Sequence, residues 1–243
     1  MNNWNSEMDL TNKTIATREL IKRIPDLKGK NIVVMPSDSH NDILEMIRQN
    51  KIDASTLFLI IDNIQSKGFR GKNKQDKKRF YEEDTKSFLK ESLNAQKLKA
   101  LFYLGEDIQN IPFSAIYYPG EDYFLSDFTY ADTCSIYKGS DWIKKATFLE
   151  SLKTGAYFAY TVLLTRSKIE GNEEDPQSKP ELILLGKQSQ ELNHKKMNII
   201  ANDIEEKTEH VLETKAMIYY YNNIKSPMGI LLFQKGSVPH MGR

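Results

Sequence analysis

Cysteine is almost absent from the chain: Cys134 is the only one in 243 residues, so no internal disulfide can form and a disulfide-stapled secreted fold is excluded. An excess of charge of one sign is missing too. Lys and Arg number 34 against 33 Asp and Glu, a formal net charge of +1 with the four histidines neutral, and that balance selects no class of partner. Long apolar runs are also lacking. Stretches such as Thr56 to Ile61 and Gly155 to Leu164 fall well short of the roughly 18–20 residues a membrane span needs. The start, MNNWNSEMDLTNK, has no basic segment leading into an apolar one, as a secretory signal would. These absences point to a cytoplasmic protein that does not engage a membrane. With 40% hydrophobic and 28% charged residues, and only 12 Gly and 8 Pro, the composition excludes collagenous and disordered classes and fits a globular chain.

Local patterns then suggest the elements. Apolar residues at 15, 20, 21 and 24, followed by Pro25, predict a short leading helix. Asn31 to Met35 reads as a strand entering the polar turn Pro36-Ser37-Asp38-Ser39, and apolar positions 43, 44, 46 and 47 predict the helix after it. Leu57 to Ile61, Ala100 to Leu104 and Ser114 to Tyr118 read as the second, third and fourth strands, with a helix over Phe80 to Leu98. Residues 121 to 140 show no assignable pattern. Trp142 to Leu152 reads as a helix closed by Lys153-Thr154-Gly155. Strands come next at Ala156 to Thr165 and Leu182 to Leu185, then a helix over Glu191 to Glu206, then a hairpin from Ala216 to Tyr221 and Gly229 to Phe233.

Strand–helix alternation followed by a hairpin predicts an α/β fold, mostly parallel, with a C-terminal antiparallel strand pair at one edge. No internal repeat or linker divides the chain. Residues 1–27 form an N-terminal helical extension in this reading and 28–243 one domain, with a basic loop at 67–79.

Open α/β sheets bind ligands at the carboxyl ends of their strands. Here those ends read Met35-Pro36-Ser37, then Asp62, then Leu104-Gly105-Glu106-Asp107, then Tyr118-Pro119-Gly120-Glu121, with Leu152-Lys153-Thr154-Gly155 before the fifth strand. In order and spacing this series resembles the class I S-adenosylmethionine-dependent methyltransferases, and within them the N6-adenine nucleic-acid methyltransferases. The family pattern is a P-S-A-G-x-G first turn, an acid on the ribose, a G-D element, a [DN]-P-P-[FYW] turn and an L-K-x-G-G segment. The resemblance implies a Rossmann-like methyltransferase sheet and S-adenosylmethionine as cofactor. It assigns Pro36, Ser37, Ser39, Asp62 and Asp107 to the cofactor, with Asp62 on the ribose and Asp107 beside the adenine. It also assigns Tyr118, Pro119 and Glu121 to the catalytic turn.

The departures lie at the chemistry. Ser39 and Asn41 stand where the first turn has glycines, flanked by Asp38 and Asp42. Such carboxylates repel the cofactor's own carboxylate and favour its ammonium and sulfonium. Tyr118-Pro119-Gly120-Glu121 lacks the Asp or Asn oxygen that accepts a hydrogen bond from the target amine, and orientation supplies most of the rate of such a transfer. The resemblance with these departures implies a methyltransferase-like protein with a degenerate or lost catalytic motif, serving as a scaffold or partner subunit, paired with a protein partner such as an active methyltransferase or as a homo-oligomer. The alternative is an active adenine methyltransferase.

Lys67 to Arg79, KGFRGKNKQDKKR, places seven basic residues against one acid. Lys67, Arg70, Lys72, Lys74, Lys77, Lys78 and Arg79, with Phe69, Phe80 and Tyr81 interleaved, suit contact with phosphates and bases. A third alternative is a metal-dependent phosphoesterase, since Asp38-Ser39-His40 also resembles the first metal-binding motif of the calcineurin-like enzymes. Their later histidine motifs are missing, so no metal is expected.

Overall fold

A computed structural model describes residues 12–36, 40–62, 74–104, 108, 111–113, 116, 123–137, 139, 147–164, 180–185, 191–208, 211–221 and 226–237. Its strands are β1 (Asn31–Val34), β2 (Leu57–Asp62), β3 (Ala100–Leu104), β4 (Ser126–Ile136), β5 (Leu152–Leu163), β6 (Glu181–Leu184), β7 (Leu212–Tyr221) and β8 (Pro227–Lys235). They form one eight-stranded sheet in the order β3-β2-β1-β4-β5-β8-β7-β6. Strands β1 to β5 pair in parallel, β8 runs antiparallel to both β5 and β7, and β6 is parallel to β7. The result is a Rossmann-like open sheet, mostly parallel with one reversed strand near its C-terminal end. The helices are α1 (Asn12–Arg23), α2 (Asn41–Arg48), α3 (Lys74–Ser92) and α4 (Glu191–Lys207).

The hairpin forms, but not at an edge. Strand β8 lies inside the sheet and β6 takes the edge. Burial explains the difference: Pro227 to Phe233 is covered on both faces, and a continuous apolar run belongs to an interior strand. Leu182 and Leu184 of β6 instead stay more than 40% exposed. At Gly229 a side chain would meet Met197 Sδ and Cε at 3.2 Å, so glycine lets α4 approach β8 closely.

Two apolar layers sandwich the sheet. One joins α1, α2 and α3 through Leu20, Ile21, Ile43, Met46, Phe88 and Leu89. The other joins α4 through Met197, Ile200 and Ile204 with the β3–β4 connection, where Ile108, Ile111, Phe113 and Phe124 are buried. The leading helix is part of this core: Ala16, Leu20 and Ile21 are fully buried, and Arg18 bonds both carboxylate oxygens of Glu45 on α2.

Three sequence expectations are corrected. Lys74 to Arg79 are not loop but the first turns of α3, because Tyr81, Thr85, Phe88 and Leu89 recur on one buried face and carry the helix back past Phe80. The fourth strand is Ser126–Ile136, not Ser114 to Tyr118; Ile116 lies in no strand. Within the run expected as the helix Trp142 to Leu152, Thr147–Leu149 is a single 3-10 turn and Leu152 already opens β5. Gly155, with φ of 81°, sits inside β5 where Leu152 to Tyr157 faces Ser126 to Phe128, so it serves a bulge rather than a helix end.

Candidate functional site

The strand order reverses between β1 and β4, and the crevice above such a point is where open α/β sheets place ligands. Register defines the row of residues there. Asp62 pairs with Leu104, and Val34 pairs with Ile60 on one side and Tyr130 on the other. Two residues further along, Pro36 is level with Asp62 and with Asp132. Just there β4 is irregular: Ala131 faces Tyr160 and Ser135 faces Val162, so β4 spends four steps where β5 spends two. Bulges of this kind gather beside active sites, where they re-aim side chains.

Side chains of the protein itself close round the exit of β1. Tyr81 of α3 donates its hydroxyl to the Pro36 carbonyl at 2.8 Å. His40, which precedes α2, takes the left-handed conformation at φ 50°, normally the province of glycine or asparagine. Its fully buried ring stacks on Phe88 with centroids 4.4 Å apart, and its Nε2 lies 3.1 Å from Thr85 Oγ1. That nitrogen is directed to α3, and Asp38, the other residue of the phosphoesterase motif, lies outside the described residues. Among the described residues no group of three His, Cys, Asp or Glu side chains is placed to hold a metal.

Asp42, in the first turn of α2, is the least compensated group in the row. Its side chain is buried, with the residue only 6% exposed, and neither carboxylate oxygen has a hydrogen-bond partner of good geometry. Burial first, and then the charge of Asp132, push its pKa up to about 6. The backbone amides of Ile43 and Asp42 and the ammonium of Lys13 on α1 act the other way without cancelling that rise. Lys13 Nζ itself pairs with Asp132 Oδ2 at 2.7 Å. Three elements thus bring two carboxylates and one ammonium to the crevice. Asp132 was not legible as a site residue, because Phe128 and Tyr130 alternating with Thr129 and Ala131, the signal for its strand, fell in the unassigned stretch.

The residues expected from sequence fall into three groups. Pro36 is buried at the end of β1, and Asp62 ends β2 beside it. Lys74, Lys77, Lys78 and Arg79 lie together in the first turns of α3, with Arg79 exposed and paired to Glu83 at 2.9 Å. Ser37, Ser39, Asp107, Tyr118, Pro119, Glu121, Lys67, Arg70 and Lys72 lie outside the described residues. Because β4 begins at Ser126, Tyr118, Pro119 and Glu121 precede the fourth strand in the chain instead of following it. Strand β4 itself runs on to Ile136, with Asp132 to Ser135 at its irregularity.

No family model and no curated protein matches the chain. Similar solved structures include an S-adenosylmethionine-dependent O-methyltransferase from Thermotoga maritima, 12% identical over 99% of this chain and 71% of that one, with a TM-score of 0.45. The CurJ carbon methyltransferase is 10% identical over 94% of this chain and 55% of its own, with a TM-score of 0.48. A 16S rRNA (adenine(1408)-N(1))-methyltransferase from Catenulisporales acidiphilia is 10% identical over 97% and 95%, with a TM-score of 0.42. The chain spans only 64% of the length of a similar Pyrococcus horikoshii protein. The fold is defined by strand order and direction in this chain.

Proposed function

We propose that the chain is a methyltransferase-like protein of the class I type that binds S-adenosylmethionine at the carboxyl ends of β1 and β2, and meets nucleic acid as a scaffold or partner subunit. The observation that carries the reading is the sheet: one strand, β8, is reversed and inserted between β5 and β7 in an otherwise parallel array whose switch point falls between β1 and β4. The orphaned carboxylate of Asp42 fits a cofactor that carries positive charge, and Asp62 at the end of β2 fits ribose hydroxyls. When bound, the cofactor supplies an electrophilic methyl group.

A degenerate catalytic turn is favoured over an active adenine methyltransferase by the irregular last part of the fourth strand. Asp132 supplies a carboxylate there, but Lys13 holds it, and Thr133-Cys134-Ser135 replaces the Pro-Pro-aromatic sequence of the family pattern. The nucleic-acid part rests on α3. Lys74, Lys77, Lys78 and Arg79 occupy its first turns, where the helix dipole opposes cations, and a placement that costs helix stability suits a surface that receives phosphate.

Isothermal titration with S-adenosylmethionine and S-adenosylhomocysteine, repeated on Asp62→Ala, tests the cofactor reading. Binding that the substitution abolishes supports it. No heat at millimolar ligand removes the cofactor and leaves only the scaffold.

A further inference from the structure

A buried carboxylate without a partner is expensive to keep, since folding strips its water and supplies nothing in return. Asp42 comes close to that position: neither oxygen has a hydrogen bond of good geometry, and the amides of Ile43 and Asp42 at the helix start offset only part of the cost. It does not stand in an incidental place. It lies in the first turn of α2, beside the exit of β1, across from the irregular end of β4, and so in the crevice at the switch point.

The charged groups round it come from each element packed there. From β4 comes Asp132, a like charge that raises its pKa. From α1 comes Lys13, whose ammonium lies on Asp132 at 2.7 Å and acts on Asp42 as the smallest of the influences. On α2 itself the next acid, Glu45, is held by Arg18 and Arg48. On α3, Thr85 and Tyr81 are directed to His40 and to the Pro36 carbonyl. None of these neutralises Asp42. A positive charge brought into the crevice from outside does.

We propose that Asp42 is the counter-ion for a positive charge of the bound cofactor, its sulfonium or its α-ammonium, so that the protein binds the cofactor in its ionised-Asp42 form. The inference rests on the cofactor reading above and assigns the charge recognition to a residue of α2. It also explains why Asp132 is paired from within by Lys13 while Asp42 has no cation of its own: one carboxylate anchors α1, and the other waits for the ligand.

The test is titration calorimetry of the full chain and of Asp42→Asn with S-adenosylmethionine and S-adenosylhomocysteine at pH 5 and pH 8. S-adenosylmethionine affinity of the wild type is expected to rise about tenfold from pH 5 to pH 8, because only the ionised fraction binds well. In Asp42→Asn that rise disappears and affinity at pH 8 falls to the pH 5 level. If the pH dependence is also seen with S-adenosylhomocysteine, the ammonium is the group recognised; if it is confined to S-adenosylmethionine, the sulfonium is. Either pattern supports the proposal. Wild-type binding that Asp42→Asn leaves unchanged at both pH values overturns it while the cofactor reading stands. Absence of binding by either ligand to the wild type overturns both. Thermal melts of the variant confirm that it is folded, and Asp42→Glu, which keeps the charge, is expected to keep the pH dependence.

Discussion

Replacing Asp42 by Asn should make the ligand-free protein more stable at neutral pH. The carboxyl is pushed from 3.8 up to about 6 by burial and by Asp132. Each pKa unit corresponds to about 1.4 kcal/mol, so at pH 7 and above the ionised group costs the folded state about 3 kcal/mol. The sign comes from linkage. An acid with a raised folded-state pKa costs nothing below its unfolded value near 3.8, and the cost grows as pH rises from 4 to 6, then stays constant. Asn is isosteric and carries no charge, so its advantage tracks the same curve. Urea unfolding of the wild type and Asp42→Asn at pH 4 and pH 8 reads this directly. The variant should gain about 3 kcal/mol at pH 8, equivalent to roughly 6–12 °C in melting temperature for a chain of this size, and close to nothing at pH 4. A gain of equal size at both pH values, or a loss at pH 8, would refute the account of Asp42 as an uncompensated buried charge.

Other contacts carry expectations of their own. Arg18→Ala leaves the nearly buried carboxylate of Glu45 with Arg48 alone; it should cost about 2 kcal/mol at pH 7 in denaturant unfolding. Burial alone would raise the pKa of Glu45, yet the two arginines hold it below the usual value, so that cost should shrink as pH falls through the carboxylate range. Tyr81→Phe removes the hydroxyl that donates to the Pro36 carbonyl at 2.8 Å, and should cost about 1 kcal/mol, measured the same way. Changing Lys72, Lys74, Lys77 and Lys78 to alanine should weaken binding to an adenine-containing oligonucleotide and flatten its dependence on salt; unchanged affinity and slope in a filter or fluorescence assay would remove nucleic acid from the proposal.

Local pattern carried much of the architecture. Ala100–Leu104 was bounded as observed, and β1, β2, α2 and α4 came within about a residue or two of their limits, because each is a short apolar run or a helical spacing flanked by polar turns. Where a segment's signal is mixed, local pattern does not define the element. Ser126–Ile136 alternates aromatic and small polar residues, and only its pairing with both β1 and β5 makes it a strand. Lys74 to Arg79 is highly charged, and its helical state is set by the buried face further along α3.

The fold class, the leading strand–helix alternation and the acid at the end of β2 follow from local pattern, since these depend on hydrophobic periodicity and turn chemistry over a few residues. Tertiary structure alone decided that β8 lies between β5 and β7, and that Asp42 and Asp132, ninety residues apart in the chain, share one crevice with Lys13. Strand neighbours are chosen by the burial of whole faces and by hydrogen bonds between distant segments. The charge left open at Asp42 therefore exists only once the sheet is assembled.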